Sequence, residues 1–213
     1  ADAQILIVNN HLFFADIASR MEGIGFDEAA VLPPYHRVVF DEAHGIEESA
    51  TSFFSSRFNR FSILKQINLL FREGRRSASG FLFTVMAVSE AENAEDAVAL
   101  GVEKLKTAVN ELDEVALECL GDETTLRVNE KTARSLAPVF DKMDNLCKEL
   151  LTFISLVKNI LEGVKDEDSE LQSVWETKNV VNRLGSFVEI IKGFLAYQED
   201  EESVFHFQKV LST

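Results

Sequence analysis

Residues 136–161 read LAPVFDKMDNLCKELLTFISLVKNIL. Leu136, Phe140, Met143, Cys147, Leu150, Ile154, Val157 and Leu161 recur at alternating steps of four and three. That spacing lays them along one side of an α-helix. A helix of about 34 residues is on the order of 50 Å long at 1.5 Å per residue. The same stepping runs through Val98, Val102, Leu105, Val109, Leu112, Ala116 and Cys119 before it, up to Gly121-Asp122. It returns in Val181, Leu184, Val188, Ile191 and Leu195 after Gly163. Striped helices joined by short connections pack as antiparallel neighbours. The fold class read from this stretch is mainly α, an elongated antiparallel helical bundle.

Two short strands flank the bundle. Thr124 to Val128 precedes the longest helix, and Val204 to Val210 alternates apolar and polar residues. They are expected to pair antiparallel near the base of the bundle. Upstream, Ile46 to Phe54 reads as helix. Phe54 to Phe71 carries one apolar helical face, with Phe58, Phe61 and Phe71 on it. Gly74 to Gly80 (GRRSASG) is a turn, and Phe81 to Val88 fits helix or strand. The composition suits such a core: 46% of the 213 residues are hydrophobic, with 17 Phe and only 3 Pro. Most of the Phe residues are expected in the core. Trp175 is read as an anchor between helices, His206 as packed beside Phe205 and Phe207, and His36 as a surface residue.

The N-terminal part has another grammar. Gln4 to Val8 is a continuous apolar run ended by Asn9-Asn10, which suits a strand buried on both faces. His11 to Arg20 reads as a short helix. Pro33-Pro34 prevents helix and leads into a second strand, Arg37 to Phe40. Two such strands about 28 residues apart fit one crossover of a βαβ unit. The chain divides by this reading into a motor-like segment, 1–50, and a helical domain, 51–213. Two strands make a poor sheet alone, and residue 1 is not Met, so the chain reads as a piece of a longer one. Exposed strand edges would then offer a route to dimerisation.

The net charge is −15, which does not suit a nucleic-acid glove as a whole. The charge is uneven, however. Arg57, Arg60, Lys65, Arg72, Arg75 and Arg76 stand against Glu73 alone between residues 57 and 76, a local +5. Interleaved Phe residues could stack on bases, although a solvated basic face over a Phe core fits as well. Arg75 and Arg76, on the Gly/Ser loop, are the leading candidates for contacts to DNA phosphates, with Arg72 beside them. No apolar run reaches a membrane span, so no membrane partner is expected. The 2 Cys, Cys119 and Cys147, lie on helical stripes. They suit core packing in a reducing, cytoplasmic compartment rather than a disulfide or metal site.

The chemistry is concentrated in Arg37-Val38-Val39-Phe40-Asp41-Glu42-Ala43-His44. Strand formers that end in adjacent carboxylates are how nucleotide-hydrolysing motors place acids in the crevice at the end of a sheet. Asp41 would hold magnesium, directly or through water. Glu42 would polarise the attacking water and accept its proton. His44 would sense the γ-phosphate and link to the rest of the motor. Asn10 and His11, just after the first apolar run, could face a phosphate backbone or the nucleotide crevice. Turn and helix-cap chemistry explains Asn there equally well.

These pieces together carry a resemblance. Ala1-Asp2-Ala3-Gln4-Ile5-Leu6-Ile7-Val8-Asn9-Asn10-His11-Leu12-Phe13-Phe14-Ala15-Asp16, then Leu32-Pro33-Pro34-Tyr35, then Val38 to His44, resemble the DinG/XPD-type superfamily 2 DNA helicases. Asn10 departs from the family's usual His. The specific match covers residues 1–50. The resemblance implies ATP and magnesium as cofactors of the intact protein, single-stranded or forked DNA as partner, 5′→3′ movement, and a role in repair or replication. It implies a truncated RecA-like motor segment with a DEAH box, followed by a helical Arch-like domain that helps form the DNA passage. It leaves open an iron–sulfur cluster or a nuclease domain upstream. No Gly-x-x-x-x-Gly-Lys-Ser/Thr loop occurs in the sequence, so this piece alone is expected to bind no cofactor and to be inactive. Two other readings stay open: a non-enzymatic helical interaction module, and a DinG-like protein with exonuclease activity.

Overall fold

A computed structural model of the chain describes residues 5–21, 27–74, 78–91, 94–199 and 203–209. The chain falls into two compact units, residues 1–57 and 58–213. The fold is mainly α, a helical bundle with one two-stranded antiparallel sheet.

In the first unit, helix α1 spans Asn10–Ser19 and α2 spans Ile46–Phe54. Asn9 starts α1 because its side chain accepts the Leu12 N–H at 2.8 Å, satisfying one of the otherwise orphaned first-turn donors. Phe14 and Leu32 are buried, and so is the Asp16–Arg20 pair. Residues 5–8 and 37–40, expected as strands, form no ladder. The reason is physical: a strand is completed by a neighbour that takes its backbone N–H and C=O groups, and these two runs do not pair with each other. Most of their apolar side chains stay in solvent, with Ile7 93% and Val39 92% exposed, while Val8 is half-buried.

In the second unit, α3 spans Arg60–Leu70, α4 Phe81–Val88, α5 Ala94–Leu120, α6 Glu130–Glu162 and α7 Gln172–Leu195. Strand β1, Thr125–Arg127, pairs antiparallel with β2, His206–Gln208, in the register Leu126 to Phe207. The long helices alternate in direction. Gly101 of α5 faces Phe153 of α6, Glu111 meets Lys142, and the Cys119 thiol reaches the Ser135 carbonyl. Tyr197, just past α7, stacks on Phe140 near the start of α6. Helix α6 is therefore flanked by α5 and α7. It buries Val139, Leu146, Phe153 and Ile160 in addition to most of the expected stripe. A helix with neighbours on two sides needs a wider apolar face than one stripe provides. Pro138 is accommodated within α6.

Other expectations change locally. The run Phe54 to Phe71 is not one helix. Asn59 caps a fresh start, accepting the Ser62 N–H at 2.8 Å while the Ser62 hydroxyl accepts the Asn59 N–H at 3.0 Å. Phe58 and Phe71 join the core, but Phe61 is 71% exposed. Among the described residues the Phe side chains are mostly half-buried, several of them packed against the core, and only Phe14, Phe71 and Phe153 are fully buried. Residues 81–88, ambiguous in sequence, form a helix. Trp175 is 61% exposed, which does not fit the expected anchor between helices. His206 points outward while its neighbours Phe205 and Phe207 both pack on Phe194. The period of two in a strand accounts for that inversion. His36 is exposed, as expected, and the cysteines are free thiols in or against the core. Burial pushes the Cys147 thiol above its ordinary range.

Candidate active site

The Asp41–His44 stretch forms a tight exposed turn immediately before α2. Residues Ala43–Gly45 make one turn of 3₁₀ helix, and the Gly45 N–H closes back on the Glu42 carbonyl at 3.3 Å. Glu42 has φ 53° and ψ 49°, the one non-glycine with positive φ among the described residues. An L-residue in that left-handed region costs about 1 kcal/mol. Two contacts offset it. The Asp41 carboxylate accepts the Glu42 N–H at 3.1 Å, and the Glu42 carboxylate lies 3.1 Å from His44 Nδ1. The Glu42 and His44 side chains are about four-fifths exposed, so their pairing is screened and readily exchanged for another partner.

The three sequence-predicted residues Asp41, Glu42 and His44 are thus brought together, with both carboxylates accessible. Magnesium favours oxygen ligands, and commonly takes one or two carboxylates with water and phosphate oxygens completing its shell. The Asp41 carboxylate suits that role. Among the described residues no group of three or more His, Cys, Asp or Glu side chains forms a closed metal cage.

The same unit holds a buried polar centre that the sequence pattern did not single out. Asp16 of α1 accepts hydrogen bonds from Arg20 Nε at 2.7 Å, the Leu32 N–H at 2.7 Å and the Tyr35 hydroxyl at 3.0 Å. Arg20 also donates to the carbonyls of Glu28, Leu32 and Pro33. Its guanidinium lies over the Tyr35 ring, 5.1 Å from the centroid. Burial pushes the Asp16 carboxyl upward. The hydrogen bond from Arg20, those from Leu32 and Tyr35, and the Arg20 charge outweigh burial and hold it below the usual carboxylate range. Tyr35 moves the opposite way, raised by burial and by its bond to Asp16. A signal existed in the sequence, since Asp16 and Arg20 are spaced i, i+4 on a short apolar helix. Such pairs are usually solvated, which hid it.

Asn10 and His11 turn toward α2 instead of standing free. Asn10 Nδ2 donates to the Ser49 hydroxyl at 3.4 Å, and the His11 ring meets Phe53 edge-on at 5.6 Å. Ring contacts continue through the unit. Phe13 packs edge-on against Phe40 at 5.3 Å, and Phe14 touches both Phe53 and Phe54.

The basic cluster is divided. Arg57 donates to the Ser52 hydroxyl, and Arg60 pairs with Asp113 of α5 at 3.5 Å. Arg72 is exposed and exchanges two backbone hydrogen bonds with Ser79, closing the neck of a loop. Gly80 seals that neck at φ 124°, where a Cβ would collide with the Leu70 carbonyl. Arg75 and Arg76 lie outside the described residues. No helix among the described residues is long and apolar enough to cross a membrane.

No family model matches the chain, and no solved structure matches it. Two curated relatives do. An ATP-dependent DNA helicase YoaA of Haemophilus influenzae is 34% identical over 74 residues, and that of Escherichia coli is 31% identical over 74 residues. Each match takes in 33% of this chain and 11% of the relative, so the chain spans a small part of their length. The resemblance to DinG/XPD-type DNA helicases that the motifs carry stands: over a third of its length, this chain is similar to ATP-dependent DNA helicases.

Proposed function

We propose that this chain supplies the acidic half of the ATP-hydrolysing site of a DNA helicase, together with a helical unit that lines the DNA passage. The observation that carries the reading is the exposed turn in which Asp41, Glu42 and His44 stand together at the head of α2, in a chain similar to named DNA helicases. The motor-derived role belongs in this reading to the first unit, residues 1–57, and the Arch-like role to the second, 58–213, because a boundary at 50/51 would cut α2. Asp41 holds magnesium through its carboxylate. A magnesium ion held there would supply positive charge against the transferring phosphate. Glu42 orients the attacking water and takes its proton, which requires its carboxylate to leave His44. His44 then contacts the nucleotide side of the site. The phosphate-binding loop and the arginines that complete catalysis come from elsewhere in the intact cytoplasmic protein.

DNA is the partner of the intact protein. Arg72, Arg75 and Arg76 contact its backbone from the Gly/Ser loop, and Asn10 and His11 reach it only by giving up their contacts to Ser49 and Phe53. Each phosphate contact is electrostatic, so affinity falls with salt. Changing Arg75 and Arg76 together to Glu in the intact protein should weaken single-stranded DNA binding about tenfold or more and flatten its salt dependence, measured by fluorescence anisotropy. Unchanged affinity would remove these residues from the interface. Glu42→Gln should abolish DNA-stimulated ATP hydrolysis and unwinding, and full activity in that variant would refute the assignment of the turn.

A further inference from the structure

Helix α1 touches the chain on both sides of the acidic turn. Before it, Phe13 packs edge-on against Phe40, the residue preceding Asp41, at 5.3 Å. After it, Asn10 donates to Ser49 and His11 meets Phe53, both on α2. The same helix holds the approach to the turn, because Asp16 and Arg20 bind the backbone at Leu32 and Pro33. Few other contacts hold the turn. Residues 37–40 have no ladder, Val39 is exposed, and the turn residues Asp41–His44 are exposed. The position of the two carboxylates is therefore set largely by side chains of α1 rather than by burial of the turn itself.

We infer that Phe13 is a positioning residue for Asp41 and Glu42, acting through the Phe40 ring. This rests on the proposed role of the turn in ATP hydrolysis. Phe40 is 39% exposed, and the edge-on contact with Phe13 is the ring contact that the structure places against it, so that contact limits how far Phe40 rotates or withdraws. Phe13 is in turn half-buried and braced by Phe14 and Tyr35 at 5.6 and 6.2 Å. Removing the Phe13 ring leaves a gap beside Phe40 and lets Asp41 drift. Misplacing a reacting group by about 1 Å can cost on the order of a hundredfold in rate. Substrate binding by parts of the site outside this turn is untouched, so the loss belongs in kcat.

The test is steady-state ATP hydrolysis by the intact helicase carrying Phe13→Ala, Phe13→Tyr or Glu42→Gln, with thermal unfolding of each. Phe13→Ala should lower kcat by about ten- to a hundredfold with KM for ATP within about twofold. Phe13→Tyr, which keeps the ring, should return kcat to near wild type. A Phe13→Ala enzyme with kcat within twofold of wild type, while Glu42→Gln is dead, overturns the positioning role alone. So does a loss in Phe13→Ala that merely tracks a smaller folded fraction, or one that Phe13→Tyr fails to rescue. A fully active Glu42→Gln enzyme overturns the hydrolytic reading of the turn, and the positioning role falls with it.

Discussion

At the scale of single residues, Asp16 and Glu42 show how differently two carboxylates can be used. Asp16 is fully enclosed and takes three hydrogen bonds. Its folded pKa is depressed, so its contribution is present above the unfolded value of about 3.9 and is lost as pH falls through the folded value. Tyr35 is raised by burial and by Asp16, so its contribution holds below the unfolded value of about 10 and is lost as pH rises through the folded one. The first unit should therefore be stable across the neutral range, with an acid limb and an alkaline limb. In an NMR titration the Leu32 amide, which donates to Asp16, should shift only below about pH 3.9. A midpoint at or above that value would contradict the buried pair. The protein has only 2 Tyr, so in a Tyr197→Phe background the phenolate absorbance should rise only above about pH 10. Glu42 instead stands in solvent with a left-handed backbone. Glu42→Gly should leave thermal stability unchanged or raise it by up to about 1 kcal/mol, whereas Glu42→Ala should not. An equal loss in both would mean the turn is unstrained.

At the scale of elements, most of the second unit was legible and its edges less so. The 4-3 stripes of α5, α6 and α7 predicted those helices because burial of one face dominates a long helix. The sequence could not show that α6 lies between two neighbours, so Val139, Leu146, Phe153 and Ile160 were left out of its expected face. The break at 55–59 rests on the Asn59–Ser62 capping box, a signal that an apolar stripe obscures. Leu150 is fully buried on α6. Leu150→Ala should cost about 3 kcal/mol, measured by denaturant unfolding. Asn129 caps α6 by accepting the Lys131 and Thr132 N–H groups, and Asn129→Ala should cost about 1 kcal/mol. A Leu150→Ala loss no larger than that of Asn129→Ala would contradict the central place of α6.

At the scale of the whole molecule, the first unit shows what an apolar strand signal means without its sheet. Ile5 to Val8 and Val38 to Phe40 have strand composition, but composition supplies no ladder partner. Both runs therefore leave backbone N–H and C=O groups without a strand partner among the described residues. The tetrapeptide Asp41–His44 could be singled out because its residues are contiguous in sequence. Its supports on α1 could not, because Phe13, Asp16 and Arg20 acquire meaning only when Phe40, Leu32 and Tyr35 fold against them. Under the proposed function, half of a catalytic site lies in this chain and the remainder outside it. The most direct test is phosphate release from magnesium-ATP, with and without single-stranded DNA, by this chain, by the intact protein and by its Glu42→Gln variant. DNA-stimulated release is expected from the intact wild type only. Turnover by this chain alone, or undiminished release by the Glu42→Gln variant, would contradict the proposed function.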